Sequence, residues 1–147
     1  MRIVSIDRVQ DQIVAEFAEL GDWFDKYEYL ITRGKELPRL DDQFKSDAYA
    51  MPGCQSQVWI VPRFRNGQVY FDADSDSLIV KGMISLLLRV VNGHAPGEVA
   101  DADFYFLKRT GLRGSLSPTR ANGVAAIIRR MRQLAADACK TSAHPVE

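Results

Sequence analysis

The chain has few of the side chains that most chemistry uses: two cysteines and two histidines in 147 residues. Cys54 and Cys139 form no CxxC, and no Cys and His residues cluster at metal-ligand spacing, which argues against a zinc site. Two cysteines in a chain of this length also exclude a disulfide scaffold. Charge of one sign is missing as well: 19 basic and 19 acidic side chains cancel. The longest uncharged apolar stretch, Met83 to Leu88, is far shorter than a membrane span. No apolar h-region follows the opening MRIVSIDRVQ, so the expected location is cytoplasmic, with no membrane association. Internal repeats and low-complexity tracts are absent. What remains is an ordinary globular composition, 46% hydrophobic and 26% charged, expected as one domain over residues 1–140 with a polar tail at 141–147.

Overall neutrality hides a gradient. Residues 1–50 carry 7 basic and 11 acidic groups, residues 51–107 carry 4 and 6, and residues 108–147 carry 8 and 2. A basic C-terminal third is one signature of nucleic-acid binding. No RNP pattern, zinc finger or series of stacking aromatics accompanies it, so no nucleic-acid partner is expected. A helix with one charged face, suited to an acidic protein partner, is the better reading.

Ile6, Val9, Ile13, Phe17 and Leu20 recur at helical spacing up to Gly21. Asp22 is placed to cap a second helix carrying Phe24, Tyr27, Leu30 and Ile31, with a stop near Gly34, and both helices read as half-buried covers. Residues 38–53 are polar and irregular. A strand is expected from Gln55 to Phe64, with Trp59 in the core and Pro62 at an edge or bulge. Asn66-Gly67 then turns the chain back into a partner strand, Val69 to Ala73. Ser77 to Val91 reads as a mostly apolar central helix. Short helices follow after Pro96 and after Asp103, the second capped by Asp103. Ser117-Pro118 opens the last helix, which runs to about Cys139. Helices, a small antiparallel sheet and more helices make the fold class α+β.

Cys54 follows Met51-Pro52-Gly53 and precedes a strand, which predicts the tip of a turn where Gly53 gives backbone freedom. A buried free cysteine is the ordinary alternative. A hydrolytic Cys/His pair needs a base, and His94 and His144 both read as solvated surface. A phosphatase-type loop needs an arginine six residues on, where Ile60 stands. A cluster scaffold needs several thiolates. One thiolate without a base suits sulfur exchange, in which it attacks a sulfur–sulfur bond and displaces another thiolate.

Pro-Gly-Cys-Gln-Ser-Gln-Val-Trp (Pro52 to Trp59) resembles the active-site signature of the SufE/CsdE sulfur-acceptor proteins. The resemblance continues through Lys26 to Ile31, Asp74-Ser75-Asp76, Ile79 to Gly82 and Leu116 to Gly123, in the same order. It implies an α+β fold like that of the IscU scaffold. It also implies that Cys54 carries a persulfide received from a cysteine desulfurase of the SufS/CsdA type, for delivery to an iron–sulfur scaffold or another recipient. The chain would then be a sulfur-transfer partner rather than an independent turnover enzyme. It would hold no cofactor, since pyridoxal phosphate belongs to the desulfurase. The oligomeric state stays open, a homodimer included. Cys54 is expected to rest against apolar side chains and swing out on docking.

Gly53, Gln55, Ser56, Asp74 and Arg120 are the expected loop-supporting or partner-binding residues around Cys54. Asp76 is expected to cap a helix, and Lys81-Gly82 and Gly123 to mark close packing. Cys139 reads as dispensable. A non-catalytic adaptor of a desulfurase and a stand-alone thiol enzyme are the two alternative functions.

Overall fold

The computed structural model describes residues 5–52 and 56–142. Helix α1, Ile6–Ala18, is capped by Ser5 and buries Ile6, Val9, Ile13 and Phe17, the stripe its spacing predicts. Helix α2, Trp23–Glu36, is capped by Asp22, whose carboxylate accepts from Asp25 N–H at 3.2 Å. It is half-buried, as expected: Leu30 and Gly34 face inward, while Phe24 is 66% exposed and Tyr27 lies at the surface. The helix ends at Glu36, near Gly34 as expected. A single 3-10 turn, Asp42–Phe44, follows.

The sheet is an antiparallel hairpin, β1 Val58–Arg65 and β2 Gln68–Ser75, in register from Val58 opposite Ser75 to Arg65 opposite Gln68. Asn66 (φ 53°) and Gly67 (φ 76°) take the left-handed conformations that a tight hairpin turn requires. On the free side of β1 the sheet is extended by one bridge, Ala50 to Trp59, with Ile60 N–H donating to Tyr49 C=O. Pro62 lies two residues past that donor on the same side of β1, where the pairing has ended. Its missing N–H therefore costs nothing, as expected of an edge.

Helix α3, Leu78–Val91, is the central element. Ser77 caps it, and nine of its residues are buried. Asn92 ends it and clamps the open side of β2: its Oδ1 accepts from Phe71 N–H at 2.8 Å and its Nδ2 donates to Phe71 C=O at 3.2 Å. Four helices complete the described residues: α4 Pro96–Asp101, α5 Phe106–Arg109, α6 Leu112–Ser115 and α7 Pro118–Ser142. Asp103 does not cap α5. Its carbonyl instead accepts from Gln10 Nε2 at 2.8 Å, while Gln10 Oε1 accepts from Phe106 N–H at 3.1 Å. A buried glutamine from α1 thus takes over the capping.

Gly34 and Gly82 explain how closely α2 lies on α3. A Cβ on Gly82 would stand 2.2 Å from the Leu30 carbonyl oxygen, and one on Gly34 would stand 2.6 Å from that of Leu78. Each helix presents a glycine to a carbonyl of the other. The expected packing role of Gly82 is therefore met. On the outside of this pair, Arg89 Nη1 donates to Glu16 Oε1 at 2.8 Å, and this guanidinium holds the Glu16 carboxyl below its ordinary pKa. No helix among the described residues is long and apolar enough to cross a membrane.

Candidate functional site

Gly53, Cys54 and Gln55 lie outside the described residues, so the site is built from its flanks. The chain approaches through Met51 and Pro52 and leaves through Ser56 and Gln57. Met51 N–H donates to Val58 C=O at 2.9 Å, which closes the segment at its base. The exit is held by a reciprocal pair: Gln57 N–H donates to Asp76 Oδ1 at 3.0 Å, and Asp76 N–H donates to Gln57 C=O at 3.3 Å. Asp76 therefore does not cap α3. Ser77, one residue later, has the extended backbone and the hydroxyl that reach the helix N–H groups, and it takes that role. The described strand accordingly begins at Val58 rather than Gln55.

Asp74 is the electrostatic anchor behind these flanks. It is 3% exposed, and its carboxylate accepts from Ser75 N–H at 2.8 Å and from Leu40 N–H at 3.5 Å. Lys45 Nζ lies 3.5 Å from Oδ2, and Lys81 Nζ lies 3.6 Å from Oδ1. Burying a carboxylate is costly unless charge and hydrogen bonds compensate it, and here two ammonium groups and two amides do. Three separate pieces of chain, near residues 40–45, at the end of β2 and in α3, are thereby tied together beside the loop. Lys45 also lies over the Trp59 ring, 5.6 Å from its centroid, so Trp59 is half-buried under a cation rather than in the core. Asp74→Asn keeps one acceptor but strands both lysines. It is expected to destabilise the fold by about 1–2 kcal/mol, read as a melting temperature lower by roughly 3–6 °C.

Ser56 opens onto a small cleft whose other walls are Val58, Val80, Thr119, Arg120, Gly123, Val124 and Ile127. The cleft has an apolar floor and one exposed guanidinium, that of Arg120, at its mouth. Arg120 comes near because Ser117 caps α7, its Oγ accepting from Arg120 N–H at 3.3 Å, and so aims the first turn of that helix at the sheet end. The fold thus groups Ser56 and Arg120 at one cleft, with Asp74 beneath the same sheet end. Sequence reading missed Lys45 as a partner of Asp74 and Asp76 as the clamp on Gln57; neither pairing leaves a local signal, since 29 and 19 residues separate the partners. Gly123 departs from expectation: no described atom lies within 4 Å of a Cβ built there. Gly123→Ala, in the interior of α7, is expected to stabilise the helix by up to about 1 kcal/mol. The melting temperature should then rise by about 2–4 °C; a fall would mean that the cleft has no room for a methyl group.

His94 is buried, 5% exposed, not solvated. Its carbonyl accepts from Val69 N–H at 2.9 Å, and its Nδ1 lies 3.2 Å from the Val91 carbonyl oxygen. Pairing with β2 pulls this turn into the interior. Val69 is six residues along β2 from Ser75, so His94 sits roughly 20 Å from the loop end of the sheet. His144 lies outside the described residues. Cys139 is half-buried and faces Gly97 of α4, where a Cβ would lie 3.7 Å from its Sγ. It stands 19 residues along α7 from Arg120, roughly 28 Å. No group of three or more His, Cys, Asp or Glu residues suited to a metal occurs among the described residues. A cavity of about 530 Å³ lies between residues 37–44, β2 and α3, and neither Ser56 nor Arg120 lines it.

The architecture defines a class before a family. The solution structure of a hypothetical protein from Thermus thermophilus superposes with a TM-score of 0.74, covering 90% of this chain and 96% of that one, at 19% identity. That likeness establishes the α+β fold. The sequence pattern of SufE, described as an Fe-S metabolism associated domain, matches residues 11–135. An uncharacterized SufE-like protein of Rhizobium etli is 36% identical over 128 residues, 84% of this chain and 86% of that protein. Another from Synechocystis is 37% identical over 121 residues, 82% of this chain and 76% of that protein. The chain belongs to the SufE family, and its domain is one associated with Fe–S metabolism.

Proposed function

We propose that the chain accepts sulfur from a cysteine desulfurase of the SufS/CsdA type onto Cys54, stimulates that desulfurase, and passes the sulfur on for iron–sulfur cluster assembly. Family membership supports the Fe–S setting. The observation that carries the chemistry is the doubly clamped segment around Cys54, closed by Met51–Val58 and by Gln57–Asp76, beside an apolar cleft with Arg120 at its mouth.

Transfer needs only one thiolate. The Cys54 thiolate attacks the terminal sulfur of the donor's persulfide; a new S–S bond forms as the old one breaks, and the donor thiolate departs with the electron pair. No oxidant or base is consumed. An ordinary thiol with a pKa near 8.5 is only a few per cent ionised at neutral pH. A nearby guanidinium raises that share, and Arg120 is the described cation at the cleft. In a cytoplasmic setting, reductants would strip an exposed persulfide. Ser56, two residues along the chain from Cys54, borders an apolar floor of Val58, Val80, Val124 and Ile127, which supports a reading in which the sulfur is kept from water there. A stand-alone hydrolase is disfavoured by His94, buried at the far end of the sheet.

Incubation of the chain with a SufS-type desulfurase and L-cysteine tests this reading. Mass spectrometry under non-reducing conditions should find one added sulfur atom on the peptide containing Cys54, and sulfide release in the presence of reductant should rise. A chain that remains unmodified while the donor carries its persulfide overturns the proposal.

A further inference from the structure

Uncompensated positive charge concentrates at a second place, a groove of about 250 Å³ where the first half of α7 crosses the segment of α5 and α6. Phe104, Leu107, Val124 and Ile128 are among the apolar residues of its lining, and Arg113, Arg129 and Arg132 stand against a single acid, Asp103. Arg113 and Arg129 are exposed and make no ion pair among the described residues. Arg132 donates its Nε to the Ala100 carbonyl at 3.1 Å, which fixes its stem against α4.

Solvated arginines on a helix are commonplace. These differ in bordering an apolar hollow that shares a wall with the candidate site: Val124 lines both this groove and the cleft at Ser56 and Arg120. Successive turns of α7 thus carry Arg120, Val124 and Ile128 along one track. The three arginines of the groove lie in residues 108–147, the part of the chain with a net charge of +6.

We infer that this groove docks an acidic segment of the sulfur donor protein, one that sets an apolar side chain into the floor and its carboxylates against the three guanidinium groups. The inference rests on the sulfur-acceptor reading above and adds to it the chemistry of the partner's surface. A free small anion would leave the floor wet, whereas an apolar anchor ringed by acids satisfies both parts of the groove. Such central anchors carry most of the affinity of an interface, and surrounding charges set its association rate and orientation.

The test measures association of the full chain with a SufS-type desulfurase. Arg113→Glu/Arg129→Glu should slow association at least about tenfold at low salt, with the gap closing as salt rises. Arg113→Gln/Arg129→Gln should fall between this variant and wild type. Lys35→Glu, an equally exposed reversal on α2, should bind like wild type, and thermal melting checks that each variant is folded. Unchanged association of the folded double reversal, while wild type acquires its sulfur adduct, overturns the docking surface and leaves the sulfur-acceptor reading standing. Absence of the adduct on wild type overturns that reading instead. Sedimentation showing a wild-type dimer that the double reversal abolishes would also overturn the inference, since a second copy would then occupy the groove.

Discussion

Cys54→Ser should reduce desulfurase stimulation to the level of the desulfurase alone and remove the sulfur adduct. Serine preserves size and can still accept or donate a hydrogen bond, so the exchange isolates the nucleophile. Sulfur–sulfur exchange requires a thiolate; a hydroxyl is not ionised near neutral pH, and a sulfur held on oxygen would not survive in water. The effect should therefore be complete rather than partial. Cys139→Ser is the matched control. Its sulfur packs against α4 about 28 Å along α7 from Arg120, and stimulation and adduct should persist. If Cys54→Ser stimulates as well as wild type, the chain is an adaptor that works by binding, and the sulfur-carrier reading is lost.

Gly82→Ala should cause the largest loss of stability among single methyl additions. The new carbon would lie 2.2 Å from the Leu30 carbonyl oxygen, 2.8 Å from its carbon and 3.0 Å from its Cα. These are backbone atoms, so no side chain can turn aside; α2 must move off α3. Displacement loosens the contact that buries Leu30, Ile79 and Met83. Overpacking of this kind costs about 1–3 kcal/mol, and loosening of the helix pair adds to it. Alanine's better helix propensity returns about 1 kcal/mol. A net loss of about 2–3 kcal/mol corresponds to a melting temperature lower by about 5–10 °C. Gly123→Ala, with the same propensity gain and no described neighbour, should move the opposite way. Should Gly82→Ala melt at or above the wild-type temperature, α2 and α3 are not packed as described.

These two glycines show where sequence reading succeeds and where it stops. Both sit in helices between a polar and an apolar residue, and both read as close-packing positions. Only packing distinguishes them: Gly82 meets a carbonyl 52 residues away in the chain, and Gly123 meets no described neighbour. The turn that carries His94 likewise reads as solvated from its residue types, and only its pairing with Val69 draws it inside.

Features that depend on neighbours within a few positions are readable from residue order. The apolar stripe of α1, the Asn66-Gly67 turn, the caps at Asp22 and Ser117 and the central apolar helix all arise from backbone sterics and short-range hydrogen bonds, which a linear string records. Helix, hairpin and helix in that order are enough for the α+β class, and the residues around Pro52 to Trp59 are enough to suggest the family. Which charge faces which is not readable. Asp74 gathers Lys45, Lys81 and the Leu40 amide, and Gln10 caps a helix 96 residues downstream, because electrostatic and steric energies follow distance through space. Those distances come into being only when α2, α3 and the hairpin pack together.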